Sequence, residues 1–215
     1  MLDPAKCHRL IVYGGTFDPP HRAHIELPFL ASREIGADGV VFVPAGEPPH
    51  KHGIHTSPAA DRLAMLRLAV GDRADAVIDT FEIDHAGPSF TVTTLEELRR
   101  RWPPGVELRL LIGADMAAGF YTWRDPRRII ELAEPLVMMR EPYGVADLLA
   151  HLPADLSEAE RAAWARRVVK TPRVDVSSSG LRERLATGGY ADAAGDASVS
   201  PAVARYIRDH ALYVR

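Results

Sequence analysis

Leu10-Ile11-Val12-Tyr13-Gly14-Gly15-Thr16-Phe17-Asp18-Pro19-Pro20-His21-Arg22-Ala23-His24 holds the change of period that decides the fold. Its first four residues are a run of β-forming apolar side chains, stopped by Gly14-Gly15. Residues 23–35 then read as a helix. The alternation recurs along the chain. Residues 39–44 are a second apolar run, and Ser57-Pro58 predicts a helix start with Ser57 as N-cap, carrying Leu63, Leu66 and Val70 on one side. Residues 76–78 read as a third strand. Thr94-Leu95-Glu96-Glu97 matches a capping box and predicts a helix to about residue 101. Residues 108–112, closed by Gly113, are a fourth strand and residues 136–139 a fifth; from about residue 155 the chain is mostly helical, with Ser200-Pro201 opening a last helix. Continuously apolar strands between helices predict an α/β fold: a doubly wound parallel sheet with a small C-terminal helical part. The expected organisation is a single domain over residues 1–215, with the core to about 150 and the helical part over about 151–215. Sites in such sheets lie beyond the C-terminal strand ends, here after Tyr13, Val43, Ile112 and Met139.

Composition narrows the function classes. Apolar residues make up 47% of the 215 and charged residues 26%, which excludes disorder as the main state. No run approaches the roughly 18–20 apolar residues of a membrane span. The first ten residues, MLDPAKCHRL, lack the apolar core of a signal peptide. A net charge of −3 provides no basic field for nucleic acid. Cys7 is the only cysteine, so no internal disulfide forms, and a cytoplasmic location is expected.

The string from Gly14 to His24 stands where the first strand meets the first helix. Glycines let the backbone approach a ligand closely, and a helix N-terminus suits phosphate. His21 and His24, three apart, share one face of the first helical turn and offer donors to phosphate oxygens. The string is neither a P-loop, which ends in Gly-Lys-Ser/Thr, nor G-x-G-x-x-G. After the second strand, Val43-Pro44-Ala45-Gly46-Glu47-Pro48-Pro49-His50-Lys51 brings one of only three lysines to the edge of the expected site. His50, His52 and His55 invite a zinc reading, but no C-x-x-C or H-E-x-x-H pattern accompanies them, so no metal ligands are assigned.

The first string closely resembles the signature of the H-x-G-H nucleotidyltransferase superfamily, in the form G-G-T-F-D-P-x-H-x-G-H of the nicotinate-nucleotide adenylyltransferases. Ala23 stands where that motif has glycine. The lysine segment resembles V-P-x-x-x-P-P-H-K, and Pro88-Ser89-Phe90-Thr91-Val92-Thr93-Thr94-Leu95 resembles P-S-Y-T-x-x-T-L, with Thr93 where many members carry an acidic residue. Ile112-Gly113-Ala114-Asp115, with Trp123 eight residues on, resembles I-G-A-D…W. Val176-Ser177-Ser178-Ser179-Gly180-Leu181-Arg182 resembles I-S-S-T-x-I-R. Residues 189–201 are longer than the family's G-x-S-I-R-Y-L-V-P and lack its arginine.

The resemblance implies a Rossmann-like nucleotidyltransferase that joins ATP to nicotinate mononucleotide, releasing nicotinate adenine dinucleotide and pyrophosphate. It gives His21, His24, Lys51 and Arg182 the phosphate chemistry. Gly14, Gly15, Thr16, Phe17, Asp115, Ser178 and Ser179 would line the ATP site, and Ser89, Thr91 and Trp123 the mononucleotide site, with Trp123 stacked on the pyridine ring. Mg²⁺ would travel on the ATP phosphates, and a homo-oligomer is left open. Trp102 and Trp164 read as core. The competing readings are transfer to nicotinamide mononucleotide or phosphopantetheine, and a nucleotide-binding homologue that has lost activity.

Overall fold

Six strands, β1 (Arg9–Gly15), β2 (Gly39–Pro44), β3 (Ala76–Ile78), β4 (Glu107–Gly113), β5 (Glu134–Met139) and β6 (Val168–Lys170), form one sheet in the computed structural model. The structure describes residues 2–3, 6–46, 56–85, 87–139, 144–172, 174, 176–187 and 198–214. The strand order is β3-β2-β1-β4-β5-β6, with every neighbouring pair parallel. The chain therefore winds outward from β1 to β3, returns to β4 beside β1, and winds outward the other way. This reversal opens a crevice at the C-terminal ends of β1 and β4.

The helices are α1 (Arg22–Glu34), α2 (Ala59–Val70), α3 (Phe81–Asp84), α4 (Thr91–Arg101), α5 (Ala114–Ala118), α6 (Pro126–Leu132), α7 (Val145–His151), α8 (Glu158–Arg166), α9 (Ser178–Ala186) and α10 (Pro201–Asp209). Alternate strand residues serve opposite faces. Leu10, Val12, Leu108, Leu110 and Ile112 join α4, α6 and the fully buried Trp164 in one apolar cluster. Ile11, Val40, Phe42, Leu111 and Met138 join α1 and α2 in the other. Two buried faces explain why the strands read as unbroken apolar runs.

The sequence reading of a doubly wound sheet holds, with local corrections. The sixth strand was not expected: its three residues lie within the stretch from about residue 155 that reads as mostly helical. Helix α4 opens at Thr91, not at a Thr94 capping box, because the buried Thr94 hydroxyl donates to Glu82 Oε1 (2.6 Å) instead of capping. Pro58, not Ser57, holds the cap position of α2. The Ser57 N–H donates to Asp18 Oδ2 (3.1 Å), and its carbonyl accepts from Arg62 Nε (3.1 Å). Trp102 packs against the α4-side cluster, as read.

Charge is arranged across the N-terminal edge of the sheet. Arg9 pairs with Glu107, Arg109 with both Glu107 and Glu134, and Arg167 with Glu134, a ladder of alternating sign over β1, β4 and β5. The opposite edge, where ligands are expected, is thereby left to the loops.

The C-terminal helices attach through α2. Met65 joins Leu181, Leu185, Val203 and Ile207 in a third apolar cluster. The Tyr206 hydroxyl donates to Asp61 (2.9 Å), and the Tyr213 hydroxyl to Asp18 Oδ1 (2.6 Å). Burial, reinforced by the Asp18 carboxylate, pushes the Tyr213 phenol well above its ordinary range, so it stays a donor. Tyr213→Phe removes that donor and leaves a buried carboxylate one partner short, which costs about 1–3 kcal/mol. Urea unfolding should show the midpoint falling accordingly; an unchanged midpoint would mean that this bond does not anchor the C-terminal residues.

Candidate active site at the strand-order reversal

Gly14 and Gly15 end β1, alongside Val43 and Pro44 of β2. The chain then turns through Phe17, whose φ of 51° is left-handed, while neither Gly14 nor Gly15 has a positive φ. Gly15 is needed for another reason: a Cβ there would lie 3.1 Å from the Phe17 ring, which is buried. The turn is shaped by packing an aromatic ring over a glycine. The Ala23 methyl group is accommodated within the apolar cluster beneath α1.

His21 is the N-cap of α1, and His24 stands in its first turn. The His24 N–H donates to His21 Nδ1 and the His21 N–H to His24 Nδ1, both at 3.4 Å. The rings stack with centroids 3.6 Å apart, tilted by 14°. An Nδ1 that accepts leaves a neutral ring its proton on Nε2. Both imidazoles are thus oriented as Nε2–H donors by the helix end itself. The backbone N–H groups of that end are already engaged, Arg22 by the Ser198 carbonyl (2.7 Å) and His24 by His21. The expectation that they would meet a ligand is corrected at these two positions.

The Val176–Arg182 motif comes to the same place. Ser177 caps α9, accepting from the Gly180 N–H. The Ser178 hydroxyl donates to the Pro19 carbonyl (3.0 Å); Arg182 donates to the Asp18 carbonyl (2.7 Å) and to Ser179 Oγ (3.2 Å). The serine–arginine segment is thus continuous with the turn after β1. A cavity lies beside it, lined by Thr56, Ser57, Arg182, Glu183, Ala186 and Tyr213.

Beyond β4, Asp115 is exposed in the first turn of α5. Its carboxylate folds back over Gly113, where a Cβ would come within 2.6 Å of Oδ1. Trp123 is half-buried, its ring 5.3 Å from that of Phe120. The Arg124 guanidinium lies over the Phe90 ring (4.8 Å), which brings the Trp123 segment to the Ser89–Thr91 loop. Thr91 is the first residue of α4. Lys51, with His50, His52 and His55, lies outside the described residues. Among the described residues no three His, Cys, Asp or Glu side chains gather to hold a metal ion.

Two residues, Arg62 and Glu82, escaped the sequence reading. Asp18 of the first motif, 1% exposed, accepts from the Ser57 backbone N–H and the Tyr213 hydroxyl. Arg62, 2% exposed, donates to three backbone carbonyls, of Ser57 (3.1 Å), Thr16 (3.0 Å) and Gly46 (3.2 Å). Burial lowers the Arg62 pKa from its ordinary value, and the Asp18 carboxylate opposes that shift. Its signal was available: Arg62, Met65 and Leu66 form the buried stripe of α2. Glu82 accepts from the Thr94 hydroxyl (2.6 Å); burial pushes its carboxyl up, and the neighbouring polar groups of Thr94, Ser89 and Gly46 pull it back. The Ser89 hydroxyl lies beside it, buried and outside hydrogen-bond geometry.

Residues 12–184 match a family model described as cytidylyltransferase-like. A Chromobacterium violaceum protein named "probable nicotinate-nucleotide adenylyltransferase" is 39% identical over 214 residues, spanning 95% of this chain and 98% of that one. A Neisseria meningitidis protein of the same name is 35% identical over 94% of this chain and 96% of its own. The solved structure of Plasmodium falciparum nicotinic acid mononucleotide adenylyltransferase, complexed with NaAD, superposes with a TM-score of 0.68. At 14% identity, over 95% of this chain and 97% of that one, it is a likeness of fold. The chain belongs to the cytidylyltransferase-like nucleotidyltransferases and, among them, to the nicotinate-nucleotide adenylyltransferase family.

Proposed function

We propose that this chain transfers the adenylyl group of ATP to nicotinate mononucleotide, giving nicotinate adenine dinucleotide and pyrophosphate, in NAD synthesis. The observation that carries the reading is the contact of Arg182 and Ser178 with the Asp18 and Pro19 carbonyls. It gathers imidazole, hydroxyl and guanidinium donors around one turn, as a triphosphate requires. The mononucleotide phosphate attacks the α-phosphorus of ATP; a new P–O bond forms as the bond to the bridging oxygen breaks, and the electron pair leaves on pyrophosphate. A phosphate monoester is anionic at neutral pH, so the chemistry needs positioning and charge stabilisation more than a base.

In this reading the Nε2–H groups of His21 and His24 serve the reacting phosphates. Arg182, Ser178 and Ser179 take the β- and γ-phosphates, and Lys51 adds a point charge. Gly14, Gly15, Thr16 and Phe17 form the wall of the ATP site, and Asp115 accepts from a ribose hydroxyl. Ser89 and Thr91 meet the pyridine carboxylate at the start of α4, and Trp123 stacks on the ring. Nucleotidyltransferases of this kind use a divalent cation. Without a protein cage among the described residues, the donor set suits Mg²⁺ carried by phosphate oxygens and water, whose charge it offsets when bound. No helix among the described residues is long and apolar enough to cross a membrane, and a cytoplasmic location fits the lone cysteine.

The direct test incubates the purified chain with ATP, Mg²⁺ and either nicotinate or nicotinamide mononucleotide, and measures dinucleotide and pyrophosphate. Faster turnover of the nicotinate form is expected; no dinucleotide from either would refute the reading. Two variants then separate the halves of the site. His24→Ala should lower kcat by about 100–1,000-fold, the cost of one lost transition-state donor. Trp123→Ala should raise KM for the pyridine nucleotide and leave that for ATP within a factor of two, since base stacking is worth about 1–3 kcal/mol. Steady-state kinetics with each substrate varied checks both; a Trp123 effect confined to ATP would return that ring to the core.

A further inference from the structure

The peptide of Gly46, just past the end of β2, is held from both sides. Its carbonyl accepts from Arg62 Nη2, and its Cα packs against the Glu82 backbone, with the Glu82 carboxylate near its N–H. A side chain has no room there: a Cβ on Gly46 would overlap the Glu82 carbonyl oxygen and come within 2.9 Å of Ser89 Oγ. Each clamping residue reaches onward. Arg62 Nη1 donates to the Thr16 carbonyl in the turn after β1, and Glu82 Oε1 accepts from Thr94 in the first turns of α4. A chain of bonds and one close packing contact thus runs from Thr16 through Arg62, the Gly46 peptide and Glu82 to Thr94. It joins the turn assigned to the ATP phosphates to the helix start assigned to the pyridine end.

We infer that Arg62 and Glu82 are positioning residues for the transfer: through the Gly46 peptide they set the separation between the two halves of the site, and so the approach of the acceptor phosphate to the α-phosphorus. The inference rests on the adenylyl-transfer reading. In-line displacement is sensitive to such placement, since a shift of about 1 Å can cost ~100-fold in rate. Both substrates still bind their own halves when the clamp is loosened, so the loss falls on kcat and spares KM. An Arg62 acting only in stability would lower the unfolding midpoint without this split.

The experiment uses the full chain with ATP, Mg²⁺ and nicotinate mononucleotide. Dinucleotide formation by the unaltered protein tests the underlying reading alone; the variants test the clamp. Arg62→Lys keeps the charge but lacks the fork that spans three carbonyls, and Glu82→Ala removes the other jaw. Each should lower kcat at least ~10-fold, per folded molecule, with both KM values within about threefold. Glu82→Gln, which can still accept from Thr94 and stand by the Gly46 N–H, should recover most of the loss. The double variant should lose little more than the worse single one, because both act on one peptide. If Glu82→Ala does not fold, Thr94→Val reads the same chain by deleting the 2.6 Å bond at its far end. A folded Arg62→Lys or Thr94→Val with unaltered kcat, raised KM values at constant kcat, or multiplicative losses in the double variant would each overturn the inference.

Discussion

A carboxylate with 1% exposure stands at the start of the first crossover, and the site is organised around it. Burying an ionised Asp18 is unfavourable unless its oxygens are satisfied. Oδ2 accepts from the Ser57 N–H and Oδ1 from the Tyr213 hydroxyl. The buried Arg62 guanidinium contributes the compensating field. The Asp18 backbone carbonyl receives Arg182. Segments nearly 200 residues apart are thereby brought to one turn.

The same economy runs through the neighbouring loops. Arg62 reaches backbone carbonyls rather than carboxylates, so its donors are spent on loop shape. Glu82 does the converse, accepting from the Thr94 hydroxyl beside the Gly46 N–H. A buried charge held by backbone groups fixes geometry well, because removing any partner leaves an expensive unpaired group. Loops that must leave space for two nucleotides cannot pack on each other, and buried polar bonds at their bases are the remaining means of holding them.

The parallel sheet was legible because both its faces are buried and its strands are continuously apolar: residues 39–44 contain no exposed position. β6 was illegible because its three residues follow the end of α8 after a single residue, and its place at the sheet edge depends on pairing with β5. The true start of α4 was hidden by Thr94, whose sequence context imitates a cap while its hydroxyl turns inward to Glu82. Of the residues the sequence reading assigned to phosphate, His21, His24 and Arg182 do come together at the turn after β1. Arg62 and Glu82 were harder: what Arg62 holds is backbone, which leaves no trace in residue identity, and Glu82 bonds a threonine that reads as a cap. Arg62 shows what trace there was, a charged residue placed within an apolar stripe.

The commitment of the α1 N-terminus has a consequence for how anions are held. A helix start attracts phosphate through unpaired N–H groups and the dipole behind them. Here the Arg22 N–H is taken by the Ser198 carbonyl and the His24 N–H by His21 Nδ1. The dipole survives, but these two donors do not. In exchange, the bond to His24 fixes the His21 ring, and the reciprocal bond fixes His24, so two N–H donors are replaced by two Nε2–H donors farther out along the imidazoles. Extended by the length of a ring, the donors can bond to phosphate oxygens standing off the helix end. That distance matters for a displacement in which both the entering and leaving groups need room on opposite sides of the same phosphorus. In the proposed adenylyl transfer, the stacked pair at 3.6 Å would be the means by which a capped helix end still presents its positive character to an anion.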